Sequence, residues 1–276
     1  MFLYNNLKPI RPIVGELVQC PVKGCEKEGP LRSKADRINE ERFLCLKHRI
    51  YITKNTFIYK EENDNFLWNC EEDSVILNKI KTVKRETHRL GHENSEDAVT
   101  WNVFRYLERN GLLESYLEAI SGRKQHNPEV IYWTYSKGNG GVWVPMKNAW
   151  VHFEKSSRNH RTEPDVIIKT DDAVFLVEAK LNSSNYSYPE NQRVKEKYMA
   201  DGWFGTVFKK DFGFDDIAVD AKRYELMRMW LLGSWMAAES GIGFYLLNLI
   251  RKKSREKVDF SIFIEQSKSQ GFKKTT

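Results

Sequence analysis

Two apolar segments joined by a short polar turn constrain this chain more than anything else in it. They are Val166-Ile167-Ile168 and, after the polar residues 169–172, Ala173-Val174-Phe175-Leu176-Val177-Glu178-Ala179-Lys180. The second is apolar at every position until Glu178, and such a run reads as a strand buried on both faces. Side chains alternate along a strand, so Glu178 and Lys180 project to the same side. With the turn centred near Asp171, antiparallel pairing sets Asp165 opposite a residue between Leu176 and Glu178. One end of a buried hairpin then gathers two carboxylates and an amine. Carboxylates crowded at the edge of a core repel each other and resist desolvation. A divalent cation removes that conflict, and magnesium favours hard oxygen ligands of this kind.

The surrounding elements follow from spacing. Asn94 or Ser95 caps a helix whose first turn holds Glu96 and Asp97, with Val99, Val103 and Leu107 repeating on one face and Asn110-Gly111 closing it. Apolar residues at 76, 77, 80 and 83 predict a helix over 75–90, whose basic residues Lys79, Lys81, Lys84, Arg85 and Arg89 read as a solvated face. Residues 61–65 read as a polar surface loop and residues 131–135 as a strand. A long helix is expected over 220–238, ended by Gly241-Ile242-Gly243, then a buried strand over 244–250 and another strand over 258–264. The order helix, three strands, helix, strand implies an α/β sandwich around a mixed sheet.

These residues resemble the PD-(D/E)XK nuclease superfamily. Pro164-Asp165 matches the first part of its signature and Glu178-Ala179-Lys180 the second, with apolar flanks and the gap between them in the family's range. The resemblance covers roughly 91–250 and implies a restriction-endonuclease-like fold: a mixed β-sheet core flanked by helices, in the order αβββαβ. It also implies an acidic residue on the helix ahead of the hairpin. Glu96 is preferred there, with Asp97 and Glu93 as alternatives. The helix containing Arg223-Tyr224-Glu225-Leu226 and Arg228 is similar to the one such nucleases lay across the sheet. The implied reaction is hydrolysis of DNA phosphodiester bonds by an endonuclease using magnesium (Mg2+) or manganese (Mn2+). Asp165 and Glu178 would hold the metal, Glu96 would assist it, and Lys180 would serve the attacking water or the charge building on phosphate. The setting implied is bacterial or phage restriction, defence or DNA processing. A homodimer or partner proteins of a defence system would fit it. The alternatives kept open are an inactive nuclease-fold module that binds DNA or protein, and a subunit active only in a complex.

The first part of the chain carries a different chemistry. Cys20-Pro21-Val22-Lys23-Gly24-Cys25 and Cys45-Leu46-Lys47-His48 supply two ligands from each of two knuckles. Three thiols and an imidazole suit tetrahedral zinc (Zn2+) in a closed structural site. With a short strand over 42–44 and a helix through 49–52, the layout resembles a treble-clef zinc finger. Cys70 lies outside the pattern and reads as an ordinary packed residue. Residues 1–75 are thus expected to form a zinc-binding module with the start of a linker helix, and 76–276 the nuclease domain.

A formal net charge of +6 leans towards polyanionic partners. No leader is legible at the start, and the apolar stretch over 226–250 is too interrupted to span a bilayer. A cytoplasmic setting without membrane association is expected. Ser136-Lys137-Gly138-Asn139-Gly140-Gly141 lacks the Gly-Lys-Ser/Thr ending of a phosphate loop and reads as a hairpin tip, which Trp133, Tyr135 and Trp143 can bring near nucleic acid. His88, His92, His152 and His160 have no ligand spacing. Asn191, Gln192 and Tyr198 are candidates to line a substrate channel. Arg251-Lys252-Lys253 and Lys273-Lys274 are basic clusters of a kind that contacts phosphates.

Overall fold

The structure is a computed structural model that describes residues 6–8, 13–33, 37, 39–84, 89–155, 161–181, 183–191, 193–250 and 260–267. The expectations placed on Arg85, His88, His160, Gln192, the basic clusters at 251–253 and 273–274, and positions 258–259 lie outside these residues. The chain divides into two compact units, Met1–Asn78 with Glu86–Asn102, and Lys79–Arg85 with Val103–Thr276.

In the first unit, β1 (Ile13–Val14), β2 (Leu17–Gln19) and β3 (Glu28–Pro30) form one antiparallel sheet. A second is built from β4 (Leu44–Cys45), β5 (Ile50–Ile52) and β6 (Phe57–Tyr59). Val18, Val22, Ile50, Ile52, Phe57 and Tyr59 pack around three cysteines as the core of this unit. Two expectations are corrected here. Residues 49–52 hold strand β5 and not a helix, because Ile50 and Ile52 alternate into the core on either side of Tyr51. Glu41–Phe43 is a 3-10 turn that leads into β4, where a strand over 42–44 was expected. The polar stretch at 61–65 is likewise not a free loop. Asn65 is buried in a 3-10 turn and donates to the carbonyls of Leu90 and His92 at 2.8 and 2.7 Å.

Helices α1 (Glu71–Val83) and α2 (Glu96–Arg109) carry the division between the units within their lengths. Helix α1 starts four residues earlier than expected, on three acidic residues that complement the positive helix end. Ser95 caps α2, its hydroxyl accepting from the Ala98 N–H at 3.1 Å. The buried residues of α2 are Ala98, Thr100, Trp101, Phe104 and Arg105, while Val99 and Val103 are each 38% exposed. Aromatic burial outweighs that of two valines, so the helix is turned away from the expected stripe.

The second unit continues with α3 (Leu113–Ser121), a helix not anticipated from the sequence, which buries Leu113 and Leu117 and ends on Gly122 at φ 71°. Strands β7 (Glu129–Tyr132), β8 (Tyr135–Ser136) and β9 (Gly141–Val142) follow, and α4 (Val144–Ala149) runs into a π-helical turn at Trp150–Glu154. The expected single strand over 131–135 is broken by a two-residue turn at Trp133 and Thr134, with φ of 42° and 70°. The residues at 136–141 form the expected hairpin tip. Trp133, Tyr135 and Trp143 beside it are buried core residues and do not form an exposed nucleic-acid surface.

Strands β10 (Val166–Lys169) and β11 (Ala173–Lys180) form the anticipated hairpin, in the register Val166↔Val177 to Lys169↔Val174. Helices α5 (Arg193–Met199) and α6 (Trp203–Val207) and a π-helical turn at Asp216–Asp220 precede α7 (Tyr224–Ser240). Lys222, at φ 57°, interrupts the expected continuous helix over 220–238, and Gly241, at φ 67°, ends α7. Strand β12 (Gly243–Ile250) then pairs in parallel with β11 along its whole length. The sheet order is β12-β11-β10-β7-β8-β9, a central mixed sheet flanked by helices. Helix α7 lies close on it at Gly233, where a Cβ would stand 2.1 Å from the Phe244 ring. Residues 261–266, expected within a strand, form a helix, Ser261–Gln266, with Phe263 in the core.

Candidate functional site

One step beyond the last β10–β11 pair, the register brings Asp165 opposite Glu178. Asp165 Oδ2 accepts from the Ala179 N–H at 2.8 Å, which ties this carboxylate to the end of β11. Glu178 is 3% exposed and forms an ion pair with Lys180. The Lys180 ammonium also lies 3.1 Å from Glu225 Oε2, in the first turn of α7. Asp165, Glu178 and Lys180, expected together from the sequence, are therefore together. Glu225 joins them as a third carboxylate that sequence reasoning missed. Its only signal was its place in the segment over 223–228 already read as a helix crossing the sheet.

The electrostatics record the imbalance of three carboxylates around one ammonium. Burial, then the charges of Asp165 and Glu225, hold the Glu178 carboxyl well above the usual glutamate range, and Lys180 only partly opposes them. Burial works against the Lys180 ammonium, but Glu178, Glu225 and Asp165 more than offset it, so this lysine stays protonated above its ordinary value. Asn248, the β12 partner of Glu178, lies on the same side of the sheet. Its amide oxygen and nitrogen are buried with no hydrogen-bond partner among the described residues. Carboxylate oxygens and an orphaned buried amide thus stand together at this strand end.

Backbone and side-chain contacts brace this strand end. The Trp133 N–H donates to the Asp165 carbonyl at 3.2 Å, and the Trp143 N–H to that of Thr134 at 2.8 Å. The turn between them sets a β-branched threonine in the left-handed region, a strained conformation. From the other side, Arg228 fixes α7 one turn beyond Glu225. Its guanidinium reaches the buried Glu154 carboxylate at 2.9 Å, which also accepts from Tyr198 Oη at 2.7 Å and from the N–H and hydroxyl of Thr162 at 2.8 and 2.7 Å. Tyr198, expected along a substrate channel, is fully buried in this network. Nothing in the spacing of Glu154 and Arg228, 74 residues apart, links them beforehand.

Glu96, Asp97 and Glu93 all belong to the first unit. Glu96 is half-buried in the first turn of α2, and the exposure of Val99 and Val103 removes the packed-face reason for preferring it. Glu93 accepts from Thr56 Oγ1 at 2.6 Å.

The first unit holds the second site. Cys20, Cys25, Cys45 and His48 bring one ligand atom each to within 4.8 Å of one another, and among the described residues no other set of three or more His, Cys, Asp or Glu side chains does so. Gly24, at φ 71°, turns the first knuckle, and the His48 N–H donates to the Cys45 carbonyl at 3.2 Å in the second. Sγ of Cys25 and Cys45 are 3.8 Å apart, and Nδ1 of His48 is 3.4 Å from Sγ of both Cys20 and Cys45. A tetrahedron with Zn–S bonds of about 2.3 Å has edges of about 3.8 Å, so the spacing suits a zinc-like ion. It is too wide for a disulfide, which needs about 2.05 Å. Burial pushes the Cys20 thiol up to about 12, and burial followed by Lys47 lowers the His48 imidazole. Cys70 is not part of the set.

No helix among the described residues is long and apolar enough to cross a membrane. Comparison with known proteins finds no matching family model, no matching curated relative and no matching solved structure.

Proposed function

We propose that the unit built on the six-stranded sheet is a metal-dependent nuclease of the PD-(D/E)XK type that hydrolyses DNA phosphodiester bonds as an endonuclease. The observation that carries this reading is the cluster at the end of β11, where Asp165, Glu178 and Glu225 surround Lys180. Its support is threefold. The residues are those of the sequence signature. Counted as ionised, three carboxylates around one ammonium leave formal negative charge that a divalent cation would balance. The antiparallel run β7, β10, β11, the crossing helix α7 and the parallel β12 also follow the restriction-endonuclease-like order.

Asp165 and Glu178 would hold magnesium or manganese, with Glu225 next to them. When bound, the metal lowers the pKa of a water for attack and polarises the phosphate. The chain's own residues supply the rest. Lys180, held protonated by its carboxylate neighbours, donates to oxygens that gain charge as the phosphorus becomes five-coordinate. The Ala179 N–H orients Asp165, and the Glu154–Arg228 pair keeps Glu225 beside Lys180. The cysteine-bearing unit is a zinc module that braces its own fold. The treble-clef likeness is weakened by strand β5, which stands where that layout has a helix.

The setting that fits is a bacterial or phage cytoplasm, in defence or DNA processing, with a second copy or partner proteins completing the machine. The test is incubation of the full chain with supercoiled and linear DNA and one divalent metal at a time. Metal-dependent cuts that linearise circles support the endonuclease. Intact DNA with every metal points to an inactive nuclease-fold binding module.

A further inference from the structure

Beside the catalytic cluster lies a surface that the hydrolytic chemistry does not use. Tyr186 and Tyr188 follow β11 in the chain and are 52% and 53% exposed. Ser187 between them is pinned to the start of α7. Its N–H donates to the Lys222 carbonyl at 3.0 Å, and its hydroxyl accepts from the Glu225 N–H at 2.8 Å. The two exposed rings are thus anchored to the residue that meets Lys180. Cations line the same place. Lys222 Nζ lies 5.6 and 5.8 Å from the ring centres of Tyr186 and Tyr188, and the Arg223 guanidinium lies 4.9 Å from that of Tyr186. Lys222 adopts a left-handed φ of 57°, a conformation that costs energy in a non-glycine residue.

We infer that Tyr186, Tyr188 and Lys222 form a stacking platform for unpaired bases of a DNA strand beside the site. Half-exposed aromatic rings with adjacent cations are elements by which proteins hold single strands, the rings taking bases and the cations phosphates. A duplex keeps its base faces inside the stack and offers nothing to such rings. The choice of DNA, and of phosphate-bearing chains at all, rests on the proposed nuclease reading. The platform would hold a locally opened or single-stranded segment as its backbone meets the carboxylates.

The test measures binding of the full chain to a labelled 12-mer of oligothymidylate, with calcium in place of magnesium to suppress chemistry. A DNA duplex and a 12-mer of oligouridylate of the same length serve as competitors. Wild type is expected to prefer oligothymidylate. Tyr186→Ala or Tyr188→Ala should weaken its binding about 5- to 150-fold, the value of one lost stack, and Tyr186→Phe or Tyr188→Phe should restore it. Lys222→Ala should weaken it further and flatten its salt dependence. Alanine variants that bind as tightly as wild type, or a wild type that prefers the duplex, overturn the platform. Tighter binding of oligouridylate overturns the assignment to DNA. A wild type that binds oligothymidylate through these tyrosines but cuts no DNA with magnesium or manganese leaves the platform standing and refutes the nuclease reading instead.

Discussion

Lys180 Nζ and Glu225 Oε2 lie 3.1 Å apart, joining the last residue of β11 to the first turn of α7. This contact joins the strand end to a second element and brings Glu225 into the charged cluster of Asp165, Glu178 and Lys180.

Glu225→Gln keeps the shape of the side chain and removes its charge. If Glu225 helps to balance the metal, the variant should need about 10- to 100-fold more magnesium for half-maximal cleavage, the usual cost of losing a supporting ligand. A magnesium titration of the initial cleavage rate reads this directly. An unchanged midpoint would assign Glu225 to holding Lys180 alone.

The strand-end cluster is legible in the sequence because strand alternation and a short turn leave almost no freedom in where Asp165, Glu178 and Lys180 go. The helix side is less legible. On α2 the valines at 99 and 103 and the aromatics at 101 and 104 offer competing faces, and only packing decides that the aromatics go in. The left-handed turns at Trp133-Thr134 and Lys222 are illegible for another reason. None of these residues is a glycine, an asparagine or an aspartate, so local propensity does not announce them. The cysteine ligands are legible from spacing, but the strand at 50–52 is short enough for the same residues to read as a helix.

The Cys3His set is expected to hold one zinc ion per chain. Elemental analysis of protein purified without added metal should find zinc near one equivalent. Cys45→Ser should lose it and Cys70→Ser should keep it. Structural zinc contributes roughly 10–16 kcal/mol of apparent binding energy in small modules, so chelation should expose the cysteine-bearing segment to protease. Zinc near zero in folded wild type would refute the site.

The Glu154–Arg228 pair is a stability element that supports the site. Glu154→Ala leaves a largely buried guanidinium without its carboxylate and should cost about 3–5 kcal/mol in denaturant unfolding. A loss below about 1 kcal/mol would mean that water or another acid replaces the pair. Replacing both residues by apolar ones of similar volume should cost much less than the single change.

The same network sets an alkaline limit. Burial first, and then the neighbouring Glu154 carboxylate, hold the Tyr198 phenol far above its ordinary value of 10. In the unfolded chain it ionises near that value. The stability it contributes is therefore complete below about pH 10 and is lost as the pH rises further. Tyr198→Phe should flatten the fall in melting temperature above that pH, at the cost of about 1 kcal/mol at neutral pH for the lost hydrogen bond. An identical alkaline slope in the two proteins would contradict the assignment.

The central claim is tested most directly by the cleavage rate of plasmid DNA with magnesium or manganese, for wild type and for Asp165→Ala, Glu178→Ala and Lys180→Ala, each first shown to be folded. Wild type should cut only with the metal present. Each variant should lose rate by orders of magnitude, and a double variant should lose little more than a single one, because the residues act as a unit. Cutting by any of the three folded variants at the wild-type rate, or no cutting by wild type with either metal, would contradict the account.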